Sequence, residues 1–231
     1  MFLPLRDENP SGKFALVNIG LLVANIAVFF YQLTLTPHVF KAFVMANAMV
    51  PARVSGWVNG ATTFEAAFLP LITSMFLHAG FAHILGNMLF LWIFGDNVED
   101  RLGSGTYFVF YMLCGIVAAI GQGLVQPEPM VGASGAIAGV LGAYVVMFPA
   151  ARVSTLVFLG IFITILQLPA LIVIGFFIVL QVIDALAELR LTAHQATENI
   201  AYFAHLFGFV AGILLLLLFR QRREQGRFRF G

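Results

Sequence analysis

Hydrophobic residues in this chain fall in long blocks rather than at a strand's period of two, and short polar stretches separate the blocks. A helix needs roughly 20 apolar residues to cross a bilayer, and somewhat fewer when other helices enclose it. Six blocks qualify: 14–35, 82–94, 105–125, 134–148, 168–186 and 200–219. The pattern predicts an all-α membrane protein built as a six-transmembrane-helix bundle. Blocks 82–94 and 134–148 are short, as suits helices buried within the bundle. Residues 155–168 are also apolar and admit three readings: an extension of the fifth span, a re-entrant piece, or a segment lying on the surface. Pro169 marks the break, because proline removes an amide donor and clashes inside a helix. The long connection 36–77 carries apolar patches and is expected to fold against the membrane surface rather than run as free linker.

Composition agrees with a bilayer as the solvent. Of 231 residues, 61% are hydrophobic and 10% charged, against about a quarter charged in an average soluble domain. A net charge of +1 offers no field for nucleic acid, so no nucleic-acid partner is expected. The single cysteine, Cys114, excludes an intrachain disulfide and reads as a small packing residue. Residues 1–13 are polar, and the block behind them lacks a small-residue cleavage site. That block reads as a retained span, not a removed signal peptide. Basic residues orient the bundle. With six spans both termini share a side. Arg6, Lys13, Arg101, Arg152, Arg220, Arg222, Arg223, Arg227 and Arg229 fall on it, against Lys41, Arg53 and Arg190 on the other. Both termini are therefore expected in the cytoplasm, and the basic tail 220–231 can rest on anionic headgroups.

Polar side chains inside a span are costly and mark function by default. Three places hold them. The second span opens with His83-Ile84-Leu85-Gly86-Asn87, the fourth with Gly132-Ala133-Ser134-Gly135, and the sixth carries Ala204-His205-Leu206-Phe207-Gly208. Those three spans all begin on the outer side, so the polar groups share one shallow depth; His205 lies about 8 Å in at 1.5 Å per residue. Ser134 shares a helical face with Ala138 and Gly142, and His205 with Ala201, Gly208 and Gly212. Such small-residue stripes let transmembrane helices approach closely. Packing the two stripes together would bring the hydroxyl and the imidazole within reach.

A serine hydroxyl becomes a nucleophile when a base takes its proton, and His205 is the candidate base. No carboxylate lies at this depth to orient the ring, which suggests a Ser-His dyad rather than a triad. The Ser134 backbone amide at a helix N-terminus, the Asn87 amide and a His83 ring N–H are candidate oxyanion donors. Gly132 and Gly135 let a substrate backbone approach. The bland alternatives are that Ser134 caps its helix, that His205 and Asn87 tie helices together, and that Glu99 and Arg101 satisfy a turn or each other. His78 and His83 are five apart with no Cys or inward carboxylate beside them, so no metal and no cofactor are expected.

At these residues the chain resembles the rhomboid family. The resemblance runs from about residue 69 to 212 and rests on the joint order and spacing of the three elements. It implies a six-helix rhomboid-type membrane domain over 14–219, and a serine protease that cleaves peptide bonds in or near transmembrane segments of other proteins. Carried over by position, Ser134 is the nucleophile, His205 the base, and His83 and Asn87 oxyanion-site residues, while His78 matches a structural histidine. The run Val98-Glu99-Asp100-Arg101-Leu102-Gly103 matches a structural motif on the cytoplasmic side. Two departures stand out. Leu69-Pro70 replaces a Trp-Arg pair found in many relatives. Ala138 stands where some bacterial relatives stack a Tyr on the catalytic His, so the His205 ring must be oriented by other contacts. The implied partners are transmembrane protein substrates and the lipid bilayer, with the bacterial inner membrane as location; the sequence carries no sign of oligomeric state. A non-catalytic relative that binds transmembrane clients is the alternative.

Overall fold

Every apolar block folds as a helix, and a strand precedes the first. A computed structural model of the protein describes the backbone of residues 2–9, 11–159, 162–189 and 200–227. The chain begins with β1 (Phe2–Asp7) and α1 (Leu16–Thr34). Four short helices follow: α2 (Pro37–Asn47), α3 (Pro51–Val58), α4 (Phe64–Phe68) and α5 (Pro70–Thr73). Then come α6 (Phe81–Leu102), α7 (Ser104–Val125), α8 (Ser134–Met147), the strands β2 (Arg152–Leu159) and β3 (Phe162–Pro169), α9 (Ala170–Glu188) and α10 (Tyr202–Arg227). Residues 36–77 are thus folded rather than free linker. Proline opens α2, α3 and α5, where the missing amide hydrogen costs nothing.

Helices α1, α7, α9 and α10 are each long and apolar enough to cross a bilayer, and the segment Phe64–Phe76 passes that test together with α6, which it meets at 80°. α8 has 14 residues and is about 21 Å long, less than a hydrocarbon core of about 30 Å. It is the centre of the bundle. Its residues from Gly135 to Tyr144 are all buried, as expected of a helix with neighbours on every side. α6, α7 and α10 pack around it.

Glu99 fastens α1 to α6. Its carboxylate accepts the amide hydrogens of Val17 (3.1 Å) and Asn18 (2.7 Å) and the Ser104 hydroxyl (2.6 Å). α1 has no side-chain cap of its own; the carboxylate supplies the acceptor and the negative charge that a helix N-terminus favours. Glu99 therefore serves α1, and the Arg101 guanidinium lies 5.3 Å from the centre of the Phe148 ring.

The all-α expectation fails at one place. β2 and β3 form an antiparallel hairpin, from Arg152↔Pro169 to Leu159↔Phe162, and β1 pairs with the free edge of β2. Residues 155–168 are rich in β-branched side chains, which favour extended backbone. Val153, Thr155 and Val157 are buried while Ser154, Leu156 and Phe158 are only partly so. Apolar residues on both faces hide this alternation from a sequence reading. The segment does not lengthen the fifth span, which starts after Pro169. The sheet lies at the end of α8 opposite Ser134, where the Tyr144 hydroxyl donates to Asp7 Oδ2 at 2.7 Å. Arg190, His194 and Arg229 lie outside the described residues. α10 stays helical through Arg227, into the run expected as a tail.

Candidate active site

The loop before α8 is held on both sides. Met130 exchanges two backbone hydrogen bonds with Met49 (2.9 and 3.1 Å), and the Gly132 amide donates to the Ser74 carbonyl at 2.9 Å. Gly132 has φ +129, a conformation that favours glycine. A Cβ there would lie 2.7 Å from both Cε1 and Nε2 of His83 and 3.7 Å from Ser134 Oγ. The His83 ring edge and the Ser134 hydroxyl therefore border one bare Cα. Ser134 opens α8 and is half-buried. Ala133 is the capping residue, and no side chain caps the helix, so Ser134 does not spend its hydroxyl as a cap. The first bond of the helical ladder runs from the Ile137 amide to the Ala133 carbonyl. The amides of Ser134, Gly135 and Ala136 precede that ladder, at the helix end that favours negative charge.

α10 reaches this point because glycines let two backbones touch. A Cβ on Gly208 would sit 2.0 Å from the Gly135 carbonyl oxygen, and one on Gly212 2.0 Å from that of Gly139. At Gly135 a Cβ would meet the Ala204 carbonyl oxygen at 3.5 Å. Residues 135 and 204, the neighbours of Ser134 and His205, are thus in contact, as the small-residue stripes predict. His205 is buried. No direct Ser134–His205 hydrogen bond is present; such bonds are commonly loose without substrate.

Two further residues hold the histidine, and sequence reasoning missed both. Gln122, buried near the end of α7, accepts the Ala204 amide hydrogen at 2.9 Å and so fixes the backbone just before His205. Gln181, buried on α9, places Oε1 2.5 Å from His205 Nδ1. Phe177, one turn earlier on α9, lies 6.2 Å from the His205 ring, centre to centre. These contacts come from α9, not from the α8 position that Ala138 occupies. The signal was available: a glutamine in the middle of an apolar span is as anomalous as a histidine.

On α6, His83 Nδ1 accepts the Ala79 amide hydrogen at 3.4 Å. Accepting there leaves the ring proton on Nε2, the atom beside Gly132. Asn87, one turn further, is buried, and its Nδ2 has no hydrogen-bond partner. A buried donor left unpaired costs about 1–3 kcal/mol, so its presence at this position asks for a functional reason. His78 has a structural setting: Gln32 of α1 hydrogen-bonds both its amide and its carbonyl (3.1 Å each), and its ring packs edge-on against His83.

The Rhomboid domain family model matches residues 65–222. The chain belongs to the rhomboid family. Putative rhomboid protease YdcA of Bacillus subtilis (strain 168) is 32% identical over 174 residues, 74% of this chain and 76% of that protein. Rhomboid protease GluP of the same strain is 45% identical over 73 residues, 32% of this chain and 14% of GluP. RHOMBOID-like protein 12, mitochondrial, of Arabidopsis thaliana is 28% identical over 235 residues, 93% of this chain and 60% of that protein. The chain thus spans less than two thirds of the last two. This rhomboid is an integral multi-pass membrane protein, as its family and its apolar helices require.

Proposed function

We propose that this rhomboid is an intramembrane serine endopeptidase working through Ser134 and His205. The observation that carries the reading is the crowding at Gly132, where a glycine of positive φ leaves space that the His83 edge and the Ser134 hydroxyl both border. His205 Nε2 takes the Ser134 proton as Oγ attacks the scissile carbonyl carbon. Negative charge moves to the carbonyl oxygen, where the Ser134 amide, the Asn87 side-chain amide and His83 Nε2–H donate to it. The imidazolium then protonates the leaving amine, and the acyl-enzyme remains. Water, giving its proton to His205, attacks the ester carbonyl; the bond to Oγ then breaks, the imidazolium returns the proton to Oγ, and the carboxyl product leaves.

All six long helices cross the bilayer in this reading, with α8 enclosed rather than spanning lipid by itself. Both termini face the cytoplasm of a bacterial inner membrane. Trp57, Phe64 and Phe68 stack on one another in α3 and α4, with Trp57 and Phe64 exposed. Aromatic side chains in that state suit the membrane–water boundary. Substrates are transmembrane segments of other proteins. They enter beside α9, which lacks the small-residue stripe of α8 and α10 and exposes Val179 and Ile183. A substrate helix must unwind to present its carbonyl, so targets with Gly, Pro or small residues near the cut are preferred.

The test is cleavage of a panel of transmembrane reporters by purified protein in liposomes. Wild type is expected to cleave and to react with a fluorophosphonate probe, and Ser134→Ala and His205→Ala to do neither while staying folded. An unchanged rate in Ser134→Ala would refute the proposal. Reporter binding without cleavage by wild type would instead favour a client-binding role.

A further inference from the structure

We propose that Gln181 of α9 is the positioning residue of His205: its amide oxygen accepts the Nδ1 proton and so leaves Nε2 free to take the serine proton. This rests on the dyad reading above. Val173, Ile174, Gln181 and Ala185 are the buried residues along the mid-section of α9, whereas Val179, Val182 and Ile183 are exposed. An apolar side chain would pack in that stripe equally well. A buried amide without a partner is costly, and the partner Gln181 meets is the His205 ring. The ring has two nitrogens, and only one arrangement serves the chemistry. An acceptor at Nδ1 holds the proton there and keeps Nε2 as the base. The amide is neutral, so it orients the ring without adding a second charge to a buried site.

Gln181 is carried by α9, so the base is correctly set only while α9 is seated. Moving α9 outward to admit a substrate separates Oε1 from Nδ1, and returning it restores the tautomer. Phe177 travels with the same helix and packs on the same ring. Substrate entry and readiness of the base are thereby linked through one hydrogen bond.

Gln181→Met keeps length and bulk but offers no amide oxygen. The expected result is a kcat roughly 10- to 100-fold lower, the scale set by one buried hydrogen bond, with KM within about threefold. Gln181→Glu keeps the acceptor and adds charge. It is expected to retain activity and to move the acid limb of the kcat/KM profile to higher pH, because a carboxylate favours the imidazolium. His83 is the other titratable group at this site, beside Gly132 and Ser134, and the His83→Gln background separates its contribution. Imidazole 15N spectra of His205 in nanodiscs give a readout independent of activity: mainly Nδ1–H in wild type, a mixture in Gln181→Met. Wild-type kcat, pH profile and tautomer in Gln181→Met, in protein of unchanged unfolding midpoint, would overturn the proposal. Failure of the protease reading looks different: wild type would be inert toward reporters and probe while the His205 spectrum still responded to Gln181→Met.

Discussion

α10 meets α8 backbone to backbone and meets α9 side chain to side chain, and the two seams differ in what they can tolerate. At the first, Gly208 and Gly212 lie on the carbonyls of Gly135 and Gly139, with no room for a methyl group. At the second, the contacts are a glutamine amide on an imidazole and a phenylalanine ring beside it. A backbone seam holds two reacting groups at fixed distance, which catalysis by proximity requires. A side-chain seam can part and re-form. In the proposed reading, Ser134 and His205 stand on the backbone seam, and the contacts that orient the His205 ring belong to the side-chain seam.

The contrast breaks first at the rigid seam. Gly212→Val should prevent stable assembly, and Gly212→Ala should cost about 1–3 kcal/mol, as overpacking does. Unfolding in mixed micelles measures this, and a Gly212→Ala protein of unchanged stability would mean that the seam is looser than described. Gly132→Ala comes next. Its Cβ would displace His83 and strain a φ of +129, so activity should fall about 100- to 1000-fold, as when an oxyanion donor is lost, with a smaller loss of stability. At the α9 side, Phe2→Ala removes a ring 4.5 Å from Phe176, where β1 meets α9 five positions before Gln181. Loosening α9 there should raise kcat/KM for helical reporters by about two- to threefold, within the range of a weak gate contact. A rate indifferent to such loosening would count against entry beside α9.

The smallest effect is expected from pH at the sheet. Asp7 is half-buried, and loss of solvent lifts its carboxyl from 3.8 to about 6, with the nearby charge of Asp96 adding to the rise. An acid whose value is higher folded than unfolded favours the folded strand when protonated. That contribution is whole below 3.8 and lost as pH climbs through about 6. Hydrogen exchange of the β1 amides, corrected for intrinsic rate, should therefore show protection falling between about pH 4 and pH 6. In Asp7→Asn the dependence should vanish.

The parts legible in the sequence were those where one residue type breaks a local rule. Histidine and asparagine in apolar blocks marked a candidate site, and glycines at helical spacing beside Ser134 and His205 announced a close helix pair, which the α8–α10 contact is. Gln122 and Gln181 broke the same rule but lacked a companion motif, and their meaning lies in what they face across the bundle. Glu99 was expected to satisfy a turn or Arg101, and it does accept from Ser104 at the turn, but the acceptor role at the start of α1, 81 and 82 residues away, was not foreseen. The hairpin over 155–168 escaped because two apolar faces erase the period of two.

The order of apolar blocks and the stripes of small residues were written in the chain alone, since solvent transfer and backbone clearance are properties of residue types at fixed spacing. Which side chain meets the His205 ring, which carboxylate caps α1, and which strand accepts the N-terminus were decided only by tertiary structure. Each of these depends on a hydrogen-bond partner brought from a distant part of the chain, and a partner's identity is a fact of space rather than of sequence position.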